Sequence, residues 1–168
     1  MPEELAQQMP IIKEILIAMN IKIIEMADYE GDDILGTLSK KFAKENKDVY
    51  ILSGDRDLFQ LIQDNIIMRI PRTKMGKTET EIYDVEKINE EMGLTPTELI
   101  DLKALMGDSS DEIPGCPGVG QKTATKLLQT YRTVDKLYEA IENGEADKDV
   151  KGKVRENLIA NKELVYIS

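Results

Sequence analysis

There is no histidine anywhere in the 168 residues. A Ser-His-Asp or Cys-His triad is therefore impossible, and so is an HExxH zinc protease site. A single cysteine, Cys116, excludes an intrachain disulfide and a cysteine zinc site, and it fits a reducing cytoplasm. No apolar run approaches the roughly 20 residues that cross a bilayer. The opening MPEELAQQMP has no basic segment leading into an apolar stretch, so a secretory signal is not expected. Any chemistry must run on carboxylates, lysines and arginines, hydroxyls, the one thiol or a hard metal ion.

Hydrophobic residues make up 41% and charged residues 32%, the balance of a soluble globular chain. The mass of 19.0 kDa suits one domain, or one domain with a small satellite. A net charge of −10 argues at first against a nucleic-acid partner, but it is unevenly spread. Residues 114–168 carry 9 basic against 8 acidic side chains, and residues 1–113 carry 13 against 24. The acidity of the first two-thirds is either a solvated surface or a pocket that collects cations.

Apolar residues Ile11, Ile12, Ile15, Leu16 and Met19 keep a helical period to about Asn20, with Pro2, Glu3 and Glu4 at its start. Ile21–Met26 reads as a short strand. A helix follows from Asp32 to about Glu45, with Ile34, Leu35, Leu38 and Phe42 on one face. Asp48–Ser53 reads as a buried strand, then comes a short helix through Leu61 and Ile62. Ile66–Ile70 reads as a third strand ended by Pro71, and Arg72–Thr80 as a basic loop. This alternation predicts βαβ units in a parallel sheet, yet the chain starts on a helix with no strand before it. Further helices are expected over Val85–Met92, Thr95–Met106, Val134–Asn143 and Lys151–Tyr166. The expected fold is α/β at the front, a partial parallel sheet with flanking helices over 1–83, and all-α over 84–168.

In open parallel sheets, ligands gather outside the carboxyl ends of the strands. Here Asp28, Glu30, Asp32 and Asp33 follow the first expected strand, and Asp55 and Asp57 follow the second. Asp108 and Asp111 sit in a loop after a long helix. Carboxylates brought together repel and raise one another's pKa, and divalent cations relieve this. Oxygen-only ligands select Mg²⁺ or Mn²⁺ over zinc, and two such ions make a phosphoryl-transfer site. Each piece also has a plainer reading. Glu30, Asp32 and Asp33 can cap the helix they begin, Asp55 and Asp57 can form a turn around Gly54, and Asp108 and Asp111 can flank a polar turn.

Gly115-Cys116-Pro117-Gly118-Val119-Gly120-Gln121-Lys122-Thr123-Ala124 enters a helix with Leu127 and Leu128 on its buried face. Gly118 and Gly120 are expected to take positive φ in a tight turn and leave the backbone bare. The amides of Val119, Gly120 and the next helix's first turn can then face an anion, with Lys122 and Lys126 close by. The spacing is neither a Walker loop nor a dinucleotide fingerprint. P-G-V-G-x-K-x-A between helices matches the helix-hairpin-helix pattern, which holds a duplex phosphate backbone without reading bases. The alternative is a helix–helix turn with a glycine cap.

Three stretches, Y-E-G-D-D-I-L-G at 29–36, S-G-D-R-D-L-F-Q-L at 53–61 and I-D-L-K-A-L-M-G-D-S-S-D-E-I-P-G at 100–115, carry a resemblance over essentially the whole chain. They resemble the 5′-nuclease (5′-3′ exonuclease, flap endonuclease) family, which includes the 5′-nuclease domain of bacterial DNA polymerase I. The resemblance implies a PIN-like α/β catalytic part followed by the three-helix variant of the helix-hairpin-helix. It implies metal-dependent hydrolysis of DNA at 5′ ends and flaps in repair and replication, in a bacterial cytoplasm, and leaves open whether a polymerase domain follows in the full-length parent. The family's metal ligands fall on Glu30, Asp32, Asp33, Asp55, Asp57, Asp108 and Asp111, with Asp33 and Asp108 in supporting places and Asp32, Asp55 and Asp57 catalytic. Two Mg²⁺ or Mn²⁺ ions would sit among them. Gly118, Val119, Gly120, Lys122, Thr123 and Lys126 would bind duplex DNA, with K⁺ held by the hairpin carbonyls.

The sequence also departs from the family. Gly31 stands where many relatives have alanine, and Glu112 where many have asparagine. The family's opening strand with its D-G-N aspartate, a second aspartate and the basic arch have no counterpart, and the final helical stretch stops early. The expectation is a fragment of a nuclease, weak or inactive alone. Two alternatives stay open: a non-catalytic DNA-binding module with a vestigial acidic site, and a Mg²⁺-binding regulatory or phosphatase-like domain whose hairpin is only a turn.

Overall fold

The computed structural model describes residues 3–166, which fall into two units, one through Leu38 and one from Ser39 onward. Pro2, placed at the first helix start by the sequence, lies outside the described residues.

In the first unit, α1 spans Glu3–Ala18 with Glu3 and Glu4 in its first turn, where acids complement the helix dipole. It ends in a Schellman motif: Asn20 takes φ 57°, Ile21 N donates to Leu16 O, and Asn20 N donates to Ile17 O. None of its residues is buried, although its apolar period is clear. Ile21–Met26, expected as a strand, is irregular. The run has the β-branched composition of a strand, but a strand exists only through a ladder, and this segment is not part of the sheet. α2 spans Gly31–Lys44 and crosses the boundary between the units. Its buried residues are the small Ser39 and Ala43, not the larger apolar face expected from the sequence.

The second unit holds a three-stranded sheet in the order β1-β2-β3, with β1 Val49–Leu52, β2 Ile66–Lys74 and β3 Lys77–Tyr83. β1 and β2 are parallel, with Val49 opposite Ile66. The crossover between them carries a 3-10 helix, Arg56–Leu61, that buries Leu58 and Phe59. β2 and β3 are antiparallel, so the sheet is mixed. The expected basic loop is instead this hairpin. Met75 and Gly76 take φ 50° and 77°, the left-handed pair a two-residue turn requires. Pro71 does not end β2. It lies beyond Arg69, the last residue paired with β1, where a missing N–H on that side costs no ladder bond.

Ile66, Met68 and Ile70 alternate inward along β2 and pack with Ile51, Leu58, Phe59, Ile62 and Tyr83. The Phe59 and Tyr83 rings lie 4.6 Å apart. Helix α3, Val85–Met92, is capped by Asp84, whose Oδ1 accepts from Lys87 N at 2.8 Å, and its Ile88 joins this sheet-side core.

A second core is helical, built by α4 Glu98–Met106, α5 Gln121–Tyr131, α6 Val134–Glu142, α7 Gly152–Ala160 and α8 Lys162–Val165. Leu105, Leu128, Leu137 and Leu158 are wholly buried in it. Helix α4 starts at Glu98, later than expected, because Glu98 N, Leu99 N and Ile100 N donate only three residues back, to Thr95 O, Pro96 O and Thr97 O. Thr95 N donates to Glu98 Oε2 at 2.7 Å, half of the expected cap. The single helix expected over Lys151–Tyr166 is broken at Asn161, with φ −116° and ψ 25°.

Candidate metal centre and nucleic-acid interface

Past the end of β1, Ser53 Oγ accepts from Asp55 N at 3.1 Å, and Asp55 Oδ1 accepts from Asp57 N at 2.9 Å. Asp55 thus caps the 3-10 helix and sets Asp57 in its first turn. From the helical side, Gly107 at φ 76° ends α4 and starts a closed loop. Asp108 and Ile113 exchange backbone hydrogen bonds at 2.9 Å, and Cys116 N donates to Leu105 O at 2.8 Å. Within the loop, Asp108 Oδ1 accepts from Ser110 N at 2.9 Å and from the Ser110 hydroxyl.

These two segments meet. Asp57, Asp108 and Asp111 each offer a carboxylate oxygen, and the three lie within 4.8 Å of one another. Lys103, on the last turn of α4, donates to all three. Its Nζ stands 2.7 Å from Asp57 Oδ1, 2.9 Å from Asp108 Oδ2 and 2.8 Å from Asp111 Oδ2. Burial alone would lower the Lys103 pKa, but the hydrogen bonds to Asp108, Asp111 and Asp57 outweigh it and raise the pKa well above the usual lysine range. The Lys103 ammonium, with the Ser110 hydroxyl and N–H, holds the Asp108 carboxyl well below the usual carboxylate range.

A hard divalent ion brings its oxygen ligands within about 4–5 Å of one another and prefers an all-oxygen set. Asp57, Asp108 and Asp111 meet both conditions. Among the described residues Asp55 lies outside this group of three. Glu30, Asp32 and Asp33 stand at the start of α2 in the first unit. There Glu30 N donates to Asp33 Oδ2 at 3.1 Å, the backward half of a capping box.

The hairpin between α4 and α5 turns on Gly118, at φ 81°, with Val119 N donating to Cys116 O at 3.0 Å. Gly120 differs from expectation. Its φ is −90°, and it serves as the extended N-cap of α5, leaving the first-turn amides without a side-chain cap. Cys116 and Val119 are buried and anchor the turn, while Gly118, Gly120, Lys122 and Lys126 are exposed. Thr123 is half-buried, and its N–H turns back to Gly120 O. Lys122 and Lys126 line a groove of about 520 Å³ with Gln121, Thr125 and Gln129. Asn157 of α7 braces the hairpin, its Nδ2 donating to Pro117 O at 2.7 Å.

Sequence reasoning gave no part to Lys103 or Asn157. Lys103 carried one available signal, a cation on a helix's last turn just before an acidic loop. Asn157 carried none, since it reaches the hairpin from 40 residues away.

Residues 1–93 match the model of the 5′-3′ exonuclease N-terminal resolvase-like domain, and residues 94–168 that of the 5′-3′ exonuclease C-terminal SAM fold. The chain belongs to the 5′-3′ exonuclease family. It is 46% identical to DNA polymerase I of Bacillus subtilis over 168 residues, covering 99% of this chain and 19% of the relative. It is 41% identical to a 5′-3′ exonuclease of the same organism over 157 residues, covering 94% of this chain and 51% of that protein. The chain therefore spans about a fifth of the polymerase and about half of the exonuclease. The fold matches that of the T5 5′-exonuclease, solved with divalent metal ions (zinc) bound. The TM-score is 0.71 at 22% identity, over 99% of this chain and 60% of that one. Among the described residues no helix is long and apolar enough to cross a membrane.

Proposed function

We propose that this chain is the metal- and duplex-binding part of a bacterial cytoplasmic 5′-3′ exonuclease and flap endonuclease, hydrolysing phosphodiesters at 5′ ends and flaps. The observation that carries this is the meeting of Asp57, Asp108 and Asp111 at one point, in a member of the 5′-3′ exonuclease family. Residues 1–83 form the catalytic α/β part and residues 84–168 the part that holds DNA. Asp57, Asp108 and Asp111 hold Mg²⁺ or Mn²⁺ with Asp55 beside them, and Glu30, Asp32 and Asp33 are further metal ligands offered by the first unit. Bound there, the ions supply a nucleophile at neutral pH and Lewis acidity toward the scissile phosphate. Asp55 keeps Asp57 in place by capping its helix.

On the helical side, the bare amides at the start of α5 and the ammonium groups of Lys122 and Lys126 hold the phosphates of duplex DNA. K⁺ bound by the carbonyls around Gly118 would screen the approach of a phosphate to the turn, and Asn157 keeps that turn in shape. In a longer parent a polymerase domain accompanies this part, a reading supported by the likeness to DNA polymerase I.

The test is cleavage of a 5′-labelled flap duplex in Mg²⁺ or Mn²⁺, with an EDTA control. A short 5′ product that disappears in EDTA and in Asp57→Asn supports the nuclease. Duplex binding without any product, unaffected by Asp57→Asn, would reduce the chain to a DNA-holding module.

A further inference from the structure

An ammonium group has three N–H donors. Those of Lys103 are all directed at carboxylates, one each from Asp57, Asp108 and Asp111. The lysine stands at the C-terminal end of α4, where the helix dipole favours a cation, and its side chain is only a quarter exposed. Asp57 comes from the crossover after β1, and Asp108 and Asp111 from the loop after α4, so one side chain ties two chain segments together.

We propose that Lys103 is a built-in counter-cation that competes with divalent metal for Asp57, Asp108 and Asp111. It gathers the three carboxylates when no metal is present, and it must release at least one of them for a metal ion to bind. The inference rests on the reading that this cluster takes a divalent cation. The oxygens an ion would use and those the ammonium uses belong to the same three side chains, and two cations repel at the contact distances both would need. The long, flexible lysine stem lets the ammonium swing away while the carboxylates stay. Lys103 therefore assembles the site but lowers its affinity for metal.

The test titrates Mn²⁺ into the full chain by calorimetry and compares it with Lys103→Met. The variant should bind Mn²⁺ roughly tenfold more tightly, because it no longer displaces a cation, and should melt at a lower temperature in EDTA. Equal or weaker Mn²⁺ binding by a folded Lys103→Met would overturn the proposal while leaving the metal site standing. If neither chain binds Mn²⁺, the metal reading and this inference fall together. Should Lys103→Met not fold, the unmodified chain decides. With ¹⁵N-labelled lysine, the Lys103 Nζ resonance should shift on addition of Mg²⁺, and a resonance unmoved at saturating Mg²⁺ would overturn the proposal.

Discussion

A Cβ placed on Gly115 would lie 2.2 Å from the backbone nitrogen of Gly107 and 2.5 Å from the carbonyl carbon of Met106. Both obstacles are backbone, so no rotamer change relieves them, and Gly115 also sits at φ 61°. This contact closes the loop that presents Asp108 and Asp111. Gly115→Ala should cost roughly 3–5 kcal/mol and weaken metal binding with it. Gly118→Ala is the contrast. Its Cβ would meet only the Asn157 side chain, at 3.4 Å, so its cost comes from φ 81° and should be about 1–2 kcal/mol. Urea melts of the two variants check the order, and equal losses would refute the packing argument.

Glu112 is the reverse case, a residue that fits its backbone poorly. It is exposed and adopts φ 58°, a conformation that asparagine tolerates better than glutamate. Glu112→Asn should stabilise the chain by about 0.5–1 kcal/mol. It also removes a negative charge next to Asp111. A lower melting temperature for the variant would show that the Glu112 carboxylate makes a contribution larger than its backbone strain.

Much of this architecture was legible in the sequence because it is local. The helical periods from Ile11 and across Val85–Met92, the β-branched runs of β1 and β2, and the glycine hairpin each carry their signal within a few residues. The failures are non-local. Ile21–Met26 has strand composition but no ladder, and composition cannot supply a partner. β3 was hidden because Thr78, Glu79 and Thr80 read as loop. Its turn, Met75-Gly76, lacks the Asn-Gly signature that announces a hairpin. The acidic residues were legible as candidates, but which of them meet was not. Asp57 reaches Asp108 and Asp111 only through the packing of the 3-10 helix near α4, and Lys103 gains its part only there.

The ion pairs at Lys103 have a pH signature. The folded-state pKa of Asp108 is depressed, so its contribution to stability is fully present above its unfolded value of about 3.9 and is lost as pH falls through the folded value. The Lys103 pKa is raised, so its contribution is lost only as pH rises through a strongly alkaline value. Stability measured in EDTA should therefore fall as pH drops below about 4, and the fall should be shallower in Asp108→Asn. An acid limb identical in the two proteins would mean that Asp108 is not the group responsible.

Duplex binding at the hairpin should be read through salt. Each lysine that neutralises a phosphate releases condensed counterions, so log affinity falls with log salt by about 0.9 per phosphate contact on duplex DNA. Lys122 and Lys126 are exposed on α5 beside the hairpin, so each of Lys122→Ala and Lys126→Ala should reduce the slope by roughly one. Asn157→Ala should act differently. It removes the bond to Pro117 O, which fixes the turn, but removes no charge, so it should lower affinity at every salt concentration with an unchanged slope. Fluorescence anisotropy on one duplex at several KCl concentrations separates the two effects. A lysine variant that weakens binding without changing the slope would place that lysine away from the phosphates.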